Sequence, residues 1–72
     1  MEEIEVFRAI LARYGLAWNY CIETLRREKQ LTIITYSFKK REVCVEEFIA
    51  DINGKTAYHA TLSVDGSCIY IE

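Results

Sequence analysis

A chain of 72 residues, 51% hydrophobic and 28% charged, is expected to form one globular domain rather than a disordered segment. Its net charge of −2 argues against nucleic-acid binding by overall field. Three cysteines and one histidine form neither a disulfide framework nor a zinc-ligand set, and no apolar run approaches the roughly 20 residues that span a bilayer.

Residues 2–29 read as a helix. Ile4, Phe7, Leu11, Tyr14, Trp18, Cys21 and Leu25 recur at spacings of three and four. Glu2, Glu3 and Glu5 open the segment and Arg26, Arg27 and Lys29 close it, which suits the helix dipole. Gly15 is the weak point, costing about 1 kcal/mol relative to alanine in a helix interior. The apolar stripe crosses it in phase, so the expectation is one long helix, bent there.

From residue 31 the period changes to two. LTIITYSF (31–38) is β-branched, aromatic and uncharged, and KKRE follows as a turn. The next segment, CVEEFIADING (44–54), fits two structures. As a helix it lines up Val45, Phe48, Ile49 and Ile52 on one stripe. As a strand it places Val45 and Ile49 opposite Phe48 and Ile52. Asn53-Gly54 and Asp65-Gly66 are strong hairpin signals, favouring two-residue type I′ turns. They impose a register in which Ile49 opposes Tyr58, Leu62 opposes Ile69 and Ala60 opposes Ile71. That register gathers Val43, Val45, Ile49, Tyr58, Ala60, Leu62, Val64, Ile69 and Ile71 on one face, so the strand is preferred. Glu47 dissents by falling on the core face. There it needs an arginine from the helix or a bulge to re-aim it.

The expected fold is therefore α+β. One N-terminal helix (about 2–29) packs on a four-stranded antiparallel meander at about 31–38, 43–52, 55–64 and 67–72, all in a single domain (1–72). The runner-up keeps 44–53 helical. In the preferred register Tyr36 and Ile34 face the core. Leu31, Ile33, Phe48, Ala50 and Ile52 gather on the outer face.

No catalytic, cofactor or metal signature emerges, and the expectation is a non-enzymatic protein without cofactor. Cys68 opposes Ser63, four residues from His59, or roughly 13 Å along a strand. That is beyond the reach of a Cys-His dyad. Without a signal-peptide pattern, free thiols in a cytoplasmic setting are expected.

A core of this size supplies roughly 3–5 kcal/mol, so a partner chain is the favoured supplement. The uncharged edge strand at 31–38 and the apolar cluster beside it point to protein binding. Leu31, Ile33, Thr35, Phe48 and Ile52 are the expected contact residues, and a homodimer is the expected assembly. Chains of this size often act as inhibitors or adaptors of larger partners, including phage- or virus-encoded ones. The alternative is a nucleic-acid-associated protein using Arg26, Arg27 and Lys29 with Lys39, Lys40 and Arg41. No membrane partner is expected.

Overall fold

The computed structural model describes residues 2–72. Among them are four helices and three strands. In chain order they are α1 (Glu3–Arg13), α2 (Trp18–Glu28), β1 (Leu31–Ile34), α3 (Tyr36–Lys40), α4 (Val45–Lys55), β2 (Ala60–Leu62) and β3 (Cys68–Ile71). The class is α+β, but neither the single long helix nor the four-stranded meander exists.

Gly15 ends α1 rather than bending a longer helix. It adopts φ +74, and the Leu16 N–H reaches back to the Leu11 carbonyl while the Gly15 N–H reaches Ala12. This is a Schellman C-cap, for which glycine is suited because it lacks a Cβ. An unbroken helix over 2–29 would be roughly 42 Å long, against a longest molecular dimension of 30 Å. The apolar stripe stays in phase because both helices bury one face in the same core. Phe7, Leu11 and Tyr14 come from α1; Cys21, Ile22 and Leu25 come from α2.

The segment 31–38 is half strand and half helix. β1 stops at Ile34. Thr35 then turns into the α region, donates its N–H to the Ser67 carbonyl at 2.9 Å, and donates its hydroxyl to the Gly66 carbonyl at 2.7 Å. α3 follows and drives Phe38 into the core. KKRE is the end of that helix, not a hairpin. Glu42 sits in the left-handed region at φ 58, and the Val43 N–H bonds back to Phe38 in a second Schellman motif.

At 44–54 the helix prevails. α4 begins at Val45 and runs through Asn53-Gly54, where neither residue has the positive φ that a type I′ turn needs. Thr56 closes it, its N–H and hydroxyl both donating to the Ile52 carbonyl. Phe48 and Ile52 are fully buried, and Glu46 and Glu47 are exposed in the first turn. The carboxylate that disagreed with a strand has its natural place on a helix N-terminus.

The sheet has order β1-β3-β2, both pairs antiparallel. β3 therefore lies between the other two, and the segment carrying α3 and α4 crosses from β1 to the far edge. The pairing of β2 with β3 matches the expected register: Ala60 with Ile71 and Leu62 with Ile69. The loop joining them is residues 63–67, with Gly66 at φ +77, instead of a two-residue I′ turn.

β1 pairs with β3, Leu31 opposite Ile71 and Ile33 opposite Ile69. That inverts the assigned faces of the first strand. Leu31 and Ile33 join Ile69, Ile71 and Ala60 on the inner face beneath the helices, while Ile34 and Tyr36 are 64% and 69% exposed. Leu62 and Val64, expected inside, are exposed near the hairpin tip. The core centres on aromatic edge contacts: Phe48 lies 5.1 Å from Phe38 and 5.2 Å from Tyr14 by ring centroid.

Candidate functional site

The two edges of the sheet differ. Flanking the β2–β3 pair, His59 and Glu72 exchange both backbone hydrogen bonds, and the Ser63 N–H reaches the Cys68 carbonyl. Antiparallel alternation then turns outward the backbone groups of Leu62, which meet no partner among the described residues, and the N–H and C=O of Ala60. Both are taken by one side chain on α4. The Asn53 amide donates to the Ala60 carbonyl at 3.0 Å and accepts from the Ala60 N–H at 2.7 Å. A primary amide has the donor and acceptor geometry of a peptide group, so Asn53 occupies the place of a further strand.

On β1 the same alternation continues from the Thr35–Ser67 bond. Leu31 and Ile33 point their backbone groups at β3, and Thr32 and Ile34 point theirs outward. Ser37 donates its hydroxyl to the Ile34 carbonyl at 3.0 Å. No other backbone or side-chain partner meets the outward groups of Thr32 and Ile34 among the described residues. Both side chains are exposed. On the outer face they stand beside Tyr70 and Cys68, their cross-strand neighbours. The edge is therefore short, uncharged, partly apolar and open.

The residues assigned to a protein contact from sequence do not lie on this surface. Leu31, Ile33, Thr35, Phe48 and Ile52 are all buried within the chain's own core. Leu31 and Ile33 moved inward with the change of pairing, and Phe48 and Ile52 with the helical form of α4. Thr35 is engaged by the 63–68 loop.

The six basic residues bracket β1. Arg26 and Lys29 line a shallow recess with Tyr58 and Glu72 at its start. Lys39 lines another with Ile34, Tyr36 and Asp65 at its end. Two of the six are otherwise engaged. Arg27 pairs with Glu28 at 3.1 Å. Arg41 donates Nε to the Ser37 carbonyl at 3.2 Å and Nη1 to the Gly15 carbonyl, fastening α3 to the α1–α2 turn.

The other chemistry-bearing groups are dispersed. Cys21 is buried, and that burial pushes its thiol pKa up. Cys44 is exposed before α4, and Cys68 is half-buried on β3 opposite Ser63. Among the described residues no three His, Cys, Asp or Glu side chains converge as metal ligands, and no helix is long and apolar enough to cross a membrane. A groove of about 300 Å³ runs between α1 and α2, lined by Ile4, Glu5, Arg8, Trp18, Glu23 and Arg26 among others. The Arg8 guanidinium stands 5.1 Å over the Trp18 ring, which closes part of the groove.

Sequence reasoning placed LTII at a sheet edge but missed Asn53, Thr32 and Ile34. Asn53 was read as a turn residue; an asparagine in the last turn of an amphipathic helix, seven residues before a strand, was the available signal. Fold and site together define a small α+β domain with one sheet edge closed at Ala60 by Asn53 and the other open along Thr32 and Ile34. No protein-family model, curated protein or solved structure matches the chain.

Proposed function

We propose that the chain is a small non-enzymatic protein-interaction module that captures an extended segment of another protein on the free edge of β1, and so serves as an inhibitor or adaptor of that protein. The observation supporting this reading is the contrast between the edges. Asn53 satisfies both outward groups of Ala60 and leaves only those of Leu62 on β2, while Thr32 and Ile34 offer a continuous unpaired backbone N–H, C=O, N–H sequence to solvent. Strand addition uses such a row for affinity and alternate side chains for specificity. Exposed Ile34 and Tyr70 on the outer face supply apolar area beside the edge.

The competing reading is nucleic-acid association. It is supported by Arg26, Lys29, Lys39 and Lys40, none of which has an ion-pair partner among the described residues. It is weakened by the engagement of Arg27 and Arg41 and by the overall negative charge.

The test is selection of extended peptides from a displayed random library, followed by amide chemical-shift mapping on the labelled chain. Shifts at Thr32 and Ile34, with Ala60 unmoved, are expected. Peptides that shift Trp18 and Ile22 instead would move the site to the α1–α2 groove and sink the reading.

A further inference from the structure

We infer that the segment taken by the β1 edge is acidic, with carboxylates flanking an uncharged extended core, and that it is not a second copy of this chain. The inference rests on the strand-capture reading above and adds the chemistry of the partner.

The argument is the distribution of charge around one element. Residues 26–42 hold six of the nine lysines and arginines but only two of the eleven aspartates and glutamates. This stretch carries a net +4, and the remainder of the chain carries −6. β1 sits in the middle of it and has no charge of its own. Lys29 precedes Leu31 by two residues, about 7 Å at strand rise. Lys39 shares a recess with Ile34, Tyr36 and Asp65 at the opposite end, where the Asp65 carboxylate is taken up by Ser63 and Ser67. A strand laid along Leu31–Ile34 would thus have an uncharged centre and cations near both ends.

A second β1 laid antiparallel about a two-fold axis would bring the same cation-rich stretch against itself. Ile33 opposite Ile33 of the other copy brings the Arg26–Lys29 end of each copy toward the Lys39–Arg41 end of the other, and the acids there are Glu28, already paired with Arg27, and Glu42. Like charges so placed repel and suppress that pairing. Contact between the +4 stretch and the acidic remainder of another copy would be heterologous and would leave the chains free to polymerise rather than close. Nucleic acid meets a different obstacle. The Thr32 carbonyl projects between the two outward N–H groups and would face phosphate oxygens. An extended peptide supplies an N–H to that carbonyl, and acidic flanks meet the cations.

The test uses two synthetic peptides sharing an alternating Val-Thr centre, one flanked by glutamates and one by lysines, titrated into the full chain. The Glu-flanked peptide should shift the Thr32 and Ile34 amides and bind about tenfold or more tighter than the Lys-flanked one at low salt. The gap should narrow as salt rises. The K39E/K40E variant, with its fold checked by its amide spectrum, should narrow the gap in the same way.

Equal binding of both peptides at β1 overturns the acidic preference and leaves strand capture standing. Binding of neither overturns both readings. Sedimentation of the chain alone as a dimer, with Thr32 and Ile34 amides protected, assigns the edge to a second copy and overturns the inference. A single-stranded oligonucleotide that shifts the same amides more than the Glu-flanked peptide overturns it in favour of nucleic acid.

Discussion

The Tyr14 hydroxyl donates a 2.7 Å hydrogen bond to Asp51 Oδ2, joining α1 to α4 across 37 residues of sequence. Lys55 lies 3.3 Å from the other carboxylate oxygen, and Arg13 lies 3.9 Å from Oδ2. The Tyr14 hydroxyl, then Lys55 and Arg13, hold the Asp51 carboxyl below its ordinary value. The Tyr14 ring meanwhile packs against Phe48 and Phe38, so one side chain closes the core and carries the polar tie at its rim.

Burial and the adjacent Asp51 carboxylate push the Tyr14 hydroxyl up to about 12 from an ordinary 10. A folded value above the unfolded one means the contribution to stability is complete below pH 10 and is lost as pH rises through 12. Absorbance titration of tyrosinate should show one late-titrating group among the five tyrosines. Tyr14→Phe should remove that late component and lower stability by about 1–2 kcal/mol in urea. A variant that still shows the late component would assign it to another tyrosine.

Gly15 is required twice over. Its φ of +74 lies in the left-handed region, and a Cβ built on it would stand 2.6 Å from Arg41 Nη1, the same group that donates to the Gly15 carbonyl. Gly15→Ala should cost about 1–2 kcal/mol from the backbone alone. It should cost more in total, because Arg41 must leave its carbonyl. The cost should be smaller in an Arg41→Ala background; urea melts of the four chains in that cycle give the coupling directly.

The 63–68 loop is organised by Asp65. Its carboxylate accepts from the Ser67 N–H and from the hydroxyls of Ser67 and Ser63, and these donors, the N–H foremost, lower its pKa to about 2. The folded value lies below the unfolded one near 4. The loop's contribution is therefore complete above pH 4 and is lost as pH falls through 2. Carboxyl chemical shifts should locate that transition. Asp65→Ala should speed hydrogen exchange at Ser67 and Cys68 while leaving the Leu31–Ile71 end of the sheet protected.

The parts of this fold legible in the sequence were those fixed by local rules. The two halves of the N-terminal stripe, the charge bias at its ends, the hairpin register from Ala60 to Ile71 and an edge strand at LTII all follow from periodicity and turn chemistry. What misled was information of long range. In-phase stripes on α1 and α2 look like one helix because both helices bury the same face in one core. Asn53-Gly54 has the composition of a hairpin turn, but Phe48 and Ile52 both reach the core only if the segment is helical. Glu47, the residue that disagreed with the strand, carried the correct answer. β1 exchanged its faces because its partner is β3, at the far end of the chain, which no local pattern announces. The candidate edge followed suit: its place beside LTII was legible, its outward residues were not.

Thr24 gives a prediction of opposite sign. It is buried on α2, and its hydroxyl has no hydrogen-bond partner among the described residues. Thr24→Val removes that polar atom while keeping the branched shape, and the two residues have similar helix propensity. Relief of an unsatisfied buried group is worth about 1–3 kcal/mol. The variant should melt at higher urea concentration with an unchanged slope. A lower midpoint would mean that the hydroxyl holds a bridging water.

Asn53 should prove the guard of the sheet's second edge. Asn53→Ala frees the Ala60 N–H and carbonyl together, at a cost of about 1–2 kcal/mol for two part-buried bonds. Asn53→Asp is the sharper probe. It keeps an acceptor for the Ala60 N–H but sets carboxylate oxygen against the Ala60 carbonyl, where the amide NH₂ stood. It should therefore destabilise at least as much as alanine at neutral pH, and recover on protonation of the introduced acid, which can then donate to that carbonyl. Hydrogen exchange at Ala60 distinguishes the roles: protection falls in both variants at neutral pH and returns only in the aspartate variant at acid pH. With Ala60 unsatisfied as well as Leu62, β2 becomes open along its whole length, and light scattering should record slow self-association that the parent chain does not show. If both variants stay monodisperse with Ala60 still protected, some group other than Asn53 closes that edge.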